Sequence, residues 1–186
     1  LIDPEQIIAD SLSGVSGAGR KADVPLLYVE CNESLRPYGV PKHRHLSEIE
    51  QELSLANGSP ITVQFTPHLV PVNRGILTTL YLAPAPGQAD DFAQWTDAIA
   101  DCLAKRYADE PFVHVLPQGQ WPQTKSVTGS NTVQLQVTVD ETAGRLVAVG
   151  AVDNLAKGTG GAAVQCMNLA LGLDEGTGLT TIGLAP

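Results

Sequence analysis

Two rhythms of apolar and polar positions run along this chain. Residues 61–65 alternate with the period of two expected of a half-buried strand. Residues 132–139 and 146–152 alternate in the same way on either side of the turn at 140–144, which predicts a hairpin. Residues 75–83 have the β-branched and aromatic content of a strand. Residues 6–11 and 112–116 read as shorter strands, and the apolar run 26–29 fits strand or helix equally. A helical rhythm is clearest over 90–107, where Phe92, Trp95, Ile99, Cys102 and Leu103 recur on one face. Asp90 and Asp91 lie at its start, with Lys105 and Arg106 at its end, as the helix dipole favours. A second helix is predicted from Ser47 to about residue 56, with Ser47 and Glu50 as a capping box and Ile49 and Leu53 as its buried stripe. A last helix covers 160–171 and stops at Gly172. Residues 30–40, 66–74 and 117–130 read as loops, and 172–186 as a frayed tail.

The order is βαβ, then βα, then three strands, then α. It predicts an α+β fold: a mostly antiparallel sheet with helices packed on one face. No internal repeat is present. Gly14, Gly17 and Gly19 do not have the spacing of a dinucleotide-binding glycine turn, and no helical pattern follows them.

Composition narrows the function classes. The chain has 186 residues, 43% of them hydrophobic and 17% charged, with a net charge of -9. An acidic chain lacks the basic face that general nucleic-acid binding needs, and no run approaches the roughly 18 apolar residues of a membrane span. The first ten residues have neither the basic nor the apolar region of a signal peptide. The only methionine is Met167, so Leu1 is not a translation start and the chain is expected to continue upstream. Cys31, Cys102 and Cys166 form no pairing pattern. They read as small buried residues in a reducing, cytoplasmic compartment.

Most cations lie in loops: Arg20, Lys21, Arg36, Lys42, Arg44, Arg74, Lys125 and Lys157. Gathered that way in an acidic chain, they suit either an anionic small ligand or ordinary solvation. Four stretches could carry chemistry. In His43-Arg44-His45 an extended backbone turns both imidazoles to one side, for proton transfer beside a guanidinium fork, or simply makes a basic loop. The pair alone is a poor metal site. The Gly/Ser loop 13–21 could cradle an anion with Arg20, or merely end a strand. Asp153 and Asn154 open the last helix and could face a ligand or cap the helix. His68 and Arg74 could line a pocket or a subunit contact, His68 also fitting a core histidine with a backbone partner. Trp95, Trp121 and Phe92 read as core or interface residues.

Together the stretches SGVSGAGR, YGVPKHRHLSEIEQEL, FTPHLVPVNRGIL, VTGSN and DNLAKGTGGAAVQCMNLALGLDE resemble, in this order, the N-acetyl-γ-glutamyl-phosphate reductases of the semialdehyde dehydrogenase superfamily. The resemblance runs from near residue 4 to about 179. It implies reduction of N-acetyl-γ-glutamyl phosphate to the semialdehyde with NADPH and release of phosphate, a step of arginine biosynthesis. It implies His43 as the acid/base and Ser16, Arg20, Arg44 and His45 as substrate-binding residues. Gly17 and Asn154 would face the NADP nicotinamide, and no metal takes part. Residues 1–152 would form a substrate-binding and dimerisation domain. Residues 153–186 would form a helix and tail packed on an NADP-binding N-terminal domain of the same protein, in a homodimer or homotetramer. The family's nucleophilic cysteine motif, N-x-G-C-Y-P, is not in these residues, and none of the three cysteines has its context. The resemblance leaves open acetyl-aminoadipyl or aspartyl phosphate as substrate, and a dimerisation module without catalysis.

Overall fold

A computed structural model describes residues 1–184, so the last two residues of the predicted tail lie outside the described part. Strand β1 is Ile2–Gly14, followed by a 3-10 turn Val15–Ala18. A 3-10 turn Val24–Leu26 and a single helical turn α1 (Tyr28–Cys31) lead to the two-residue strand β2 (Arg36–Pro37). Helix α2 is Leu46–Asn57, β3 Val63–Val70, β4 Ile76–Pro84 and α3 Phe92–Arg106. Strand β5 (Val113–Val115) and the short α4 (Thr124–Val127) precede the hairpin β6 (Val133–Asp140) and β7 (Arg145–Val152). A π-helical turn Ala156–Gly160 runs directly into α5 (Gly161–Ala170).

Among the described residues the seven strands form one sheet in the order β2-β3-β1-β4-β7-β6-β5. The sheet is mixed but mostly antiparallel: β1–β3 and β5–β6 are parallel, the other neighbours antiparallel. Register explains the one-sided core. Ile7 lies beside Val63 and Leu82, and Leu82 beside Leu146, so these side chains share one face. Trp95 and Ile99 of α3 close that face, with Leu46 and Ile49 of α2 packed against it. Long helices thus cover one side, as the α+β reading expects, and alternation sends Ile8, Leu12, His68, Tyr81 and Arg145 to the other.

Several local expectations need correction. Strand β3 runs through Pro67 to Val70, where a loop is expected from 66. Pro67 is tolerated because its carbonyl, accepting from Tyr38 N at 3.0 Å, faces the short edge strand, so its missing N–H falls on the side with the fewest ladder partners. Ser47 is not the cap of α2. The helix begins one residue earlier after His45, without a side-chain cap, and Glu50 instead accepts the backbone N–H of Val63 at 3.1 Å, tying α2 to β3. Leu53 is exposed. Cys102 and Cys166 are also exposed, and of the three thiols only Cys31 is buried, where it donates to the Pro25 carbonyl. Among the described residues, the buried Nδ1 of His68 has no hydrogen-bond partner. The tail to residue 184 is tied down: Thr180 and Thr181 carbonyls accept from Asn131 N and Thr132 Oγ1, and Leu184 N donates to Thr128.

Candidate functional site

The ends of β1 and β3, the start of β4 and the segment after β7 meet at one end of the sheet, beyond the reach of α2. Between them lies a cleft of about 680 Å³. Its lining joins residues far apart in sequence: Gly17 from the turn after β1, His43, Arg44 and His45 from the loop before α2, and Asn154 from the segment after β7. Leu26, Leu69 and Ile76 supply apolar surface, and Arg36 faces the same space.

His43 is half-buried in an aromatic surround. Its ring meets Tyr38, His45 and Phe65 edge-on, with centroids 5.3, 5.1 and 5.5 Å away. This desolvation, and then the charges of His45 and Arg44, hold its pKa below the ordinary histidine value. The loop admits the ring because residue 39 is glycine: a Cβ there would lie 2.9 Å from His43 Cδ2, and φ is +64°. A neutral imidazole facing a cleft is suited to accept or deliver a proton near neutral pH.

The opposite wall is held by side chains where the β4–β7 ladder ends at Ile76 and Val152. Asn154 is buried. Its Oδ1 accepts from Gly75 N at 2.7 Å and its Nδ2 donates to Ser16 Oγ at 2.9 Å. One amide proton and one lone pair remain for a ligand. Gly75 has φ +106°, and a Cβ would lie 2.6 Å from Thr124 Cβ, so a side chain there would push α4 away. Gly17 leaves bare backbone beside Asn154: a Cβ on it would approach Nδ2 at 3.4 Å. Bare backbone beside a fixed carboxamide can hold the polar edge of a ligand. Asp153, fully buried, pairs with Arg74 Nη2 at 2.9 Å.

The expected site residues do not all fall in the lining. Gly17, His43, Arg44, His45 and Asn154 do. Ser16 lies just behind it, engaged by Asn154. Arg20 is exposed and outside the lining. Arg74 pairs with Asp153 rather than lining the pocket. Tyr38 and Asp23 line the cleft without having been singled out from sequence, and Arg36, named only among the loop cations, lines it too. Arg36 is anchored by a hydrogen bond from Nη2 to the Pro25 carbonyl. The available signal was its place in a polar stretch leading to Tyr38, Gly39 and the two histidines. No cysteine lines the cleft. Among the described residues, no group of three or more His, Cys, Asp or Glu side chains could hold a metal ion, and no helix is long and apolar enough to cross a membrane.

Comparison with known proteins adds to this geometry. The family model "Semialdehyde dehydrogenase, dimerisation domain" matches residues 1–154. Over its whole length the chain is 56% identical to an N-acetyl-gamma-glutamyl-phosphate reductase of Saccharopolyspora erythraea, covering 53% of that protein. It is 52% identical to the protein of the same name from Moorella thermoacetica, again over all of this chain and 52% of the relative. The chain therefore spans about half the length of these curated relatives. Among solved structures, aspartate semialdehyde dehydrogenase II of Vibrio cholerae superposes with a TM-score of 0.67 at 18% identity, over 91% of this chain and 56% of that one. The Francisella tularensis aspartate semialdehyde dehydrogenase gives 0.63 at 13% identity, over 90% and 58%. These structural likenesses concern the fold.

Proposed function

Because the chain belongs to the semialdehyde dehydrogenase dimerisation-domain family, we propose that its cleft is one half of the active site of an NADP-dependent N-acetyl-γ-glutamyl-phosphate reductase. The observation that carries this is the meeting of Gly17, His43, Arg44, His45 and Asn154 in a single cleft. The names of the relatives supply the substrate, and the family resemblance supplies the place in arginine biosynthesis.

In this reading His43 moves the proton at the substrate's carbonyl oxygen. Arg44 and His45 hold the anionic substrate, with Arg36 beside them and Arg20 and Ser16 at the margin. NADPH, when bound, supplies the hydride. Gly17 presents backbone to the nicotinamide, and Asn154 offers its remaining amide proton and lone pair. Cys31, Cys102 and Cys166 lie outside the cleft, and the family resemblance assigns the thiol that would take the acyl group to an N-terminal domain.

The division into residues 1–152 and 153–186 is kept as part of the proposal. Met167, Leu169 and Leu171 are exposed on and just after α5, as a surface destined for the cofactor domain would be. The sheet face away from α2 and α3 serves a homodimer or homotetramer. Leu12 and Tyr81 are exposed there, and His68 Nδ1 and Arg145 Nη1 lack partners among the described residues. Three free thiols suit a cytoplasmic enzyme.

The test is phosphate-dependent reduction of NADP by the full-length protein with N-acetylglutamate semialdehyde. Folded protein that fails to turn over overturns the proposal. Faster turnover of the aminoadipate or aspartate semialdehyde would instead reassign the substrate.

A further inference from the structure

The carboxylate of Asp153 has more partners than a helix cap needs. Its Oδ1 accepts from the backbone N–H of Leu155 and Ala156, at 2.8 and 2.9 Å, which is ordinary capping. The same carboxylate also reaches away from the helix. Oδ2 accepts from Gly129 N at 2.6 Å, and Arg74 Nη2 lies 3.0 Å from Oδ1 and 2.9 Å from Oδ2. The carboxylate is fully buried, and the Arg74 Nε beside it has no partner among the described residues. A cap alone does not require a paired arginine.

The neighbours of this pair explain its position. Arg74 precedes Gly75, and Asp153 precedes Asn154. Gly75 N donates to Asn154 Oδ1, and Asn154 Nδ2 donates to Ser16 Oγ. Gly75 O in turn accepts from Gly14 N, and Ser16 N donates to Asn73 O at 3.1 Å. Two adjacent pairs therefore join the start of β4, the segment after β7 and the turn after β1 at the point where the backbone ladder stops.

We propose that the Arg74–Asp153 ion pair is a positioning device for the cleft, holding Asn154 and the Ser16–Gly17 turn against each other as a preformed wall. This rests on the reading of the cleft as a reductase half-site. Arg74 and Asp153 do not line the cleft; they act through Asn154.

A double-mutant cycle in the full-length enzyme tests it, with Arg74→Met, Asn154→Ala and both together. The cycle is read on kcat/KM for phosphate-dependent NADP reduction and on the equilibrium Kd for NADPH, followed by the cofactor's own fluorescence. If Arg74 positions Asn154, Asn154→Ala costs about tenfold less in the Arg74→Met background than in the wild type, on either readout. Arg74→Lys, which keeps the charge but not the fork, then falls between wild type and Arg74→Met and carries the same cycle if Arg74→Met does not fold. Additive effects on both readouts, with only the melting temperature lowered, overturn the positioning role. Wild-type protein without reductase activity would count against the half-site reading instead, and the NADPH cycle would still decide the positioning role.

Discussion

The backbone N–H of His45 donates to Nδ1 of His43 at 3.3 Å. With Nδ1 accepting, the neutral ring carries its proton on Nε2. The contact is local, two residues apart, and survives only if the loop keeps its turn into α2. His43 is therefore oriented by its own backbone as well as by Tyr38 and Phe65. Substituting it in the full-length enzyme removes the proton carrier while leaving the fold intact. His43→Ala is expected to lower kcat by about 10²- to 10⁴-fold, with circular dichroism and melting temperature near those of the wild type. A loss below fivefold would remove His43 from the chemistry.

The same neighbours set a pH dependence. Desolvation comes first, then the charges of His45 and Arg44, and all of them disfavour imidazolium at His43. In the direction that reduces NADP, His43 must begin neutral and take the proton on Nδ1, the ring nitrogen left without one, in place of the long contact from His45 N, so activity rises with pH through its pKa. The acidic limb of kcat/KM is expected below the usual histidine value of about 6.5. Arg44→Gln or His45→Asn removes a positive neighbour and should move that limb to higher pH. The linkage to stability has the same sign. The unfolded state binds the proton more readily, so the contribution of His43 is present above the unfolded pKa and is lost as pH falls through the folded one. A limb that moves downward in both variants would contradict the assignment.

Gly39 is where the loop makes room for that ring. A Cβ would lie 2.9 Å from His43 Cδ2, on a backbone with φ +64°. Gly39→Ala is expected to cost about 1–2 kcal/mol from the left-handed conformation. It should also displace His43, so kcat falls further than the stability loss explains. Comparing melting temperature with kcat separates the two: a shift in melting temperature alone would mean the ring has space to adjust.

Helix α3 was legible because its pattern is local. Its core face repeats at helical spacing, and Asp91 caps it by accepting from Gln94 N at 3.0 Å. The β6–β7 hairpin was legible for the same reason, turn chemistry between alternating strands. The features that were not legible depend on distant partners. Pro67 stays in a strand because of Tyr38, Glu50 gives up capping for the Val63 N–H, and the tail is ordered by residues 128–132. The site divides likewise. The two histidines are visible as a motif, whereas Arg36 comes into the cleft only because β2 pairs with β3, matching Arg36 to Leu69.

That pairing makes Arg36 the better anion partner to test. It lines the cleft, half-buried, while Arg20 is exposed outside it. A hydrogen bond to a charged group typically contributes more than a neutral one. Arg36→Ala is expected to raise KM for the semialdehyde by about tenfold or more, and Arg20→Ala by about twofold or less, with kcat less affected in both. Steady-state kinetics at fixed phosphate and NADP decides this, and the reverse order would restore Arg20 as the main anion partner.

Asp153 yields a prediction about stability rather than rate. Burial would raise its carboxyl, but the N–H groups of Gly129, Ala156 and Leu155 outweigh that, with Arg74 adding to them, and hold it below the usual aspartate value. The folded state then releases the proton more readily than the unfolded one. The stabilisation is complete above the unfolded pKa and is lost as pH falls through the folded pKa. Asp153→Asn keeps the shape, removes the charge and leaves Arg74 unpaired, at a cost on the order of 3 kcal/mol at neutral pH. The penalty should shrink as the wild type is acidified, because protonation takes away the same charge. Urea titrations of both proteins at neutral pH and at successively lower pH measure this. A penalty that stays constant on acidification would mean Asp153 stabilises through shape and neutral hydrogen bonds alone.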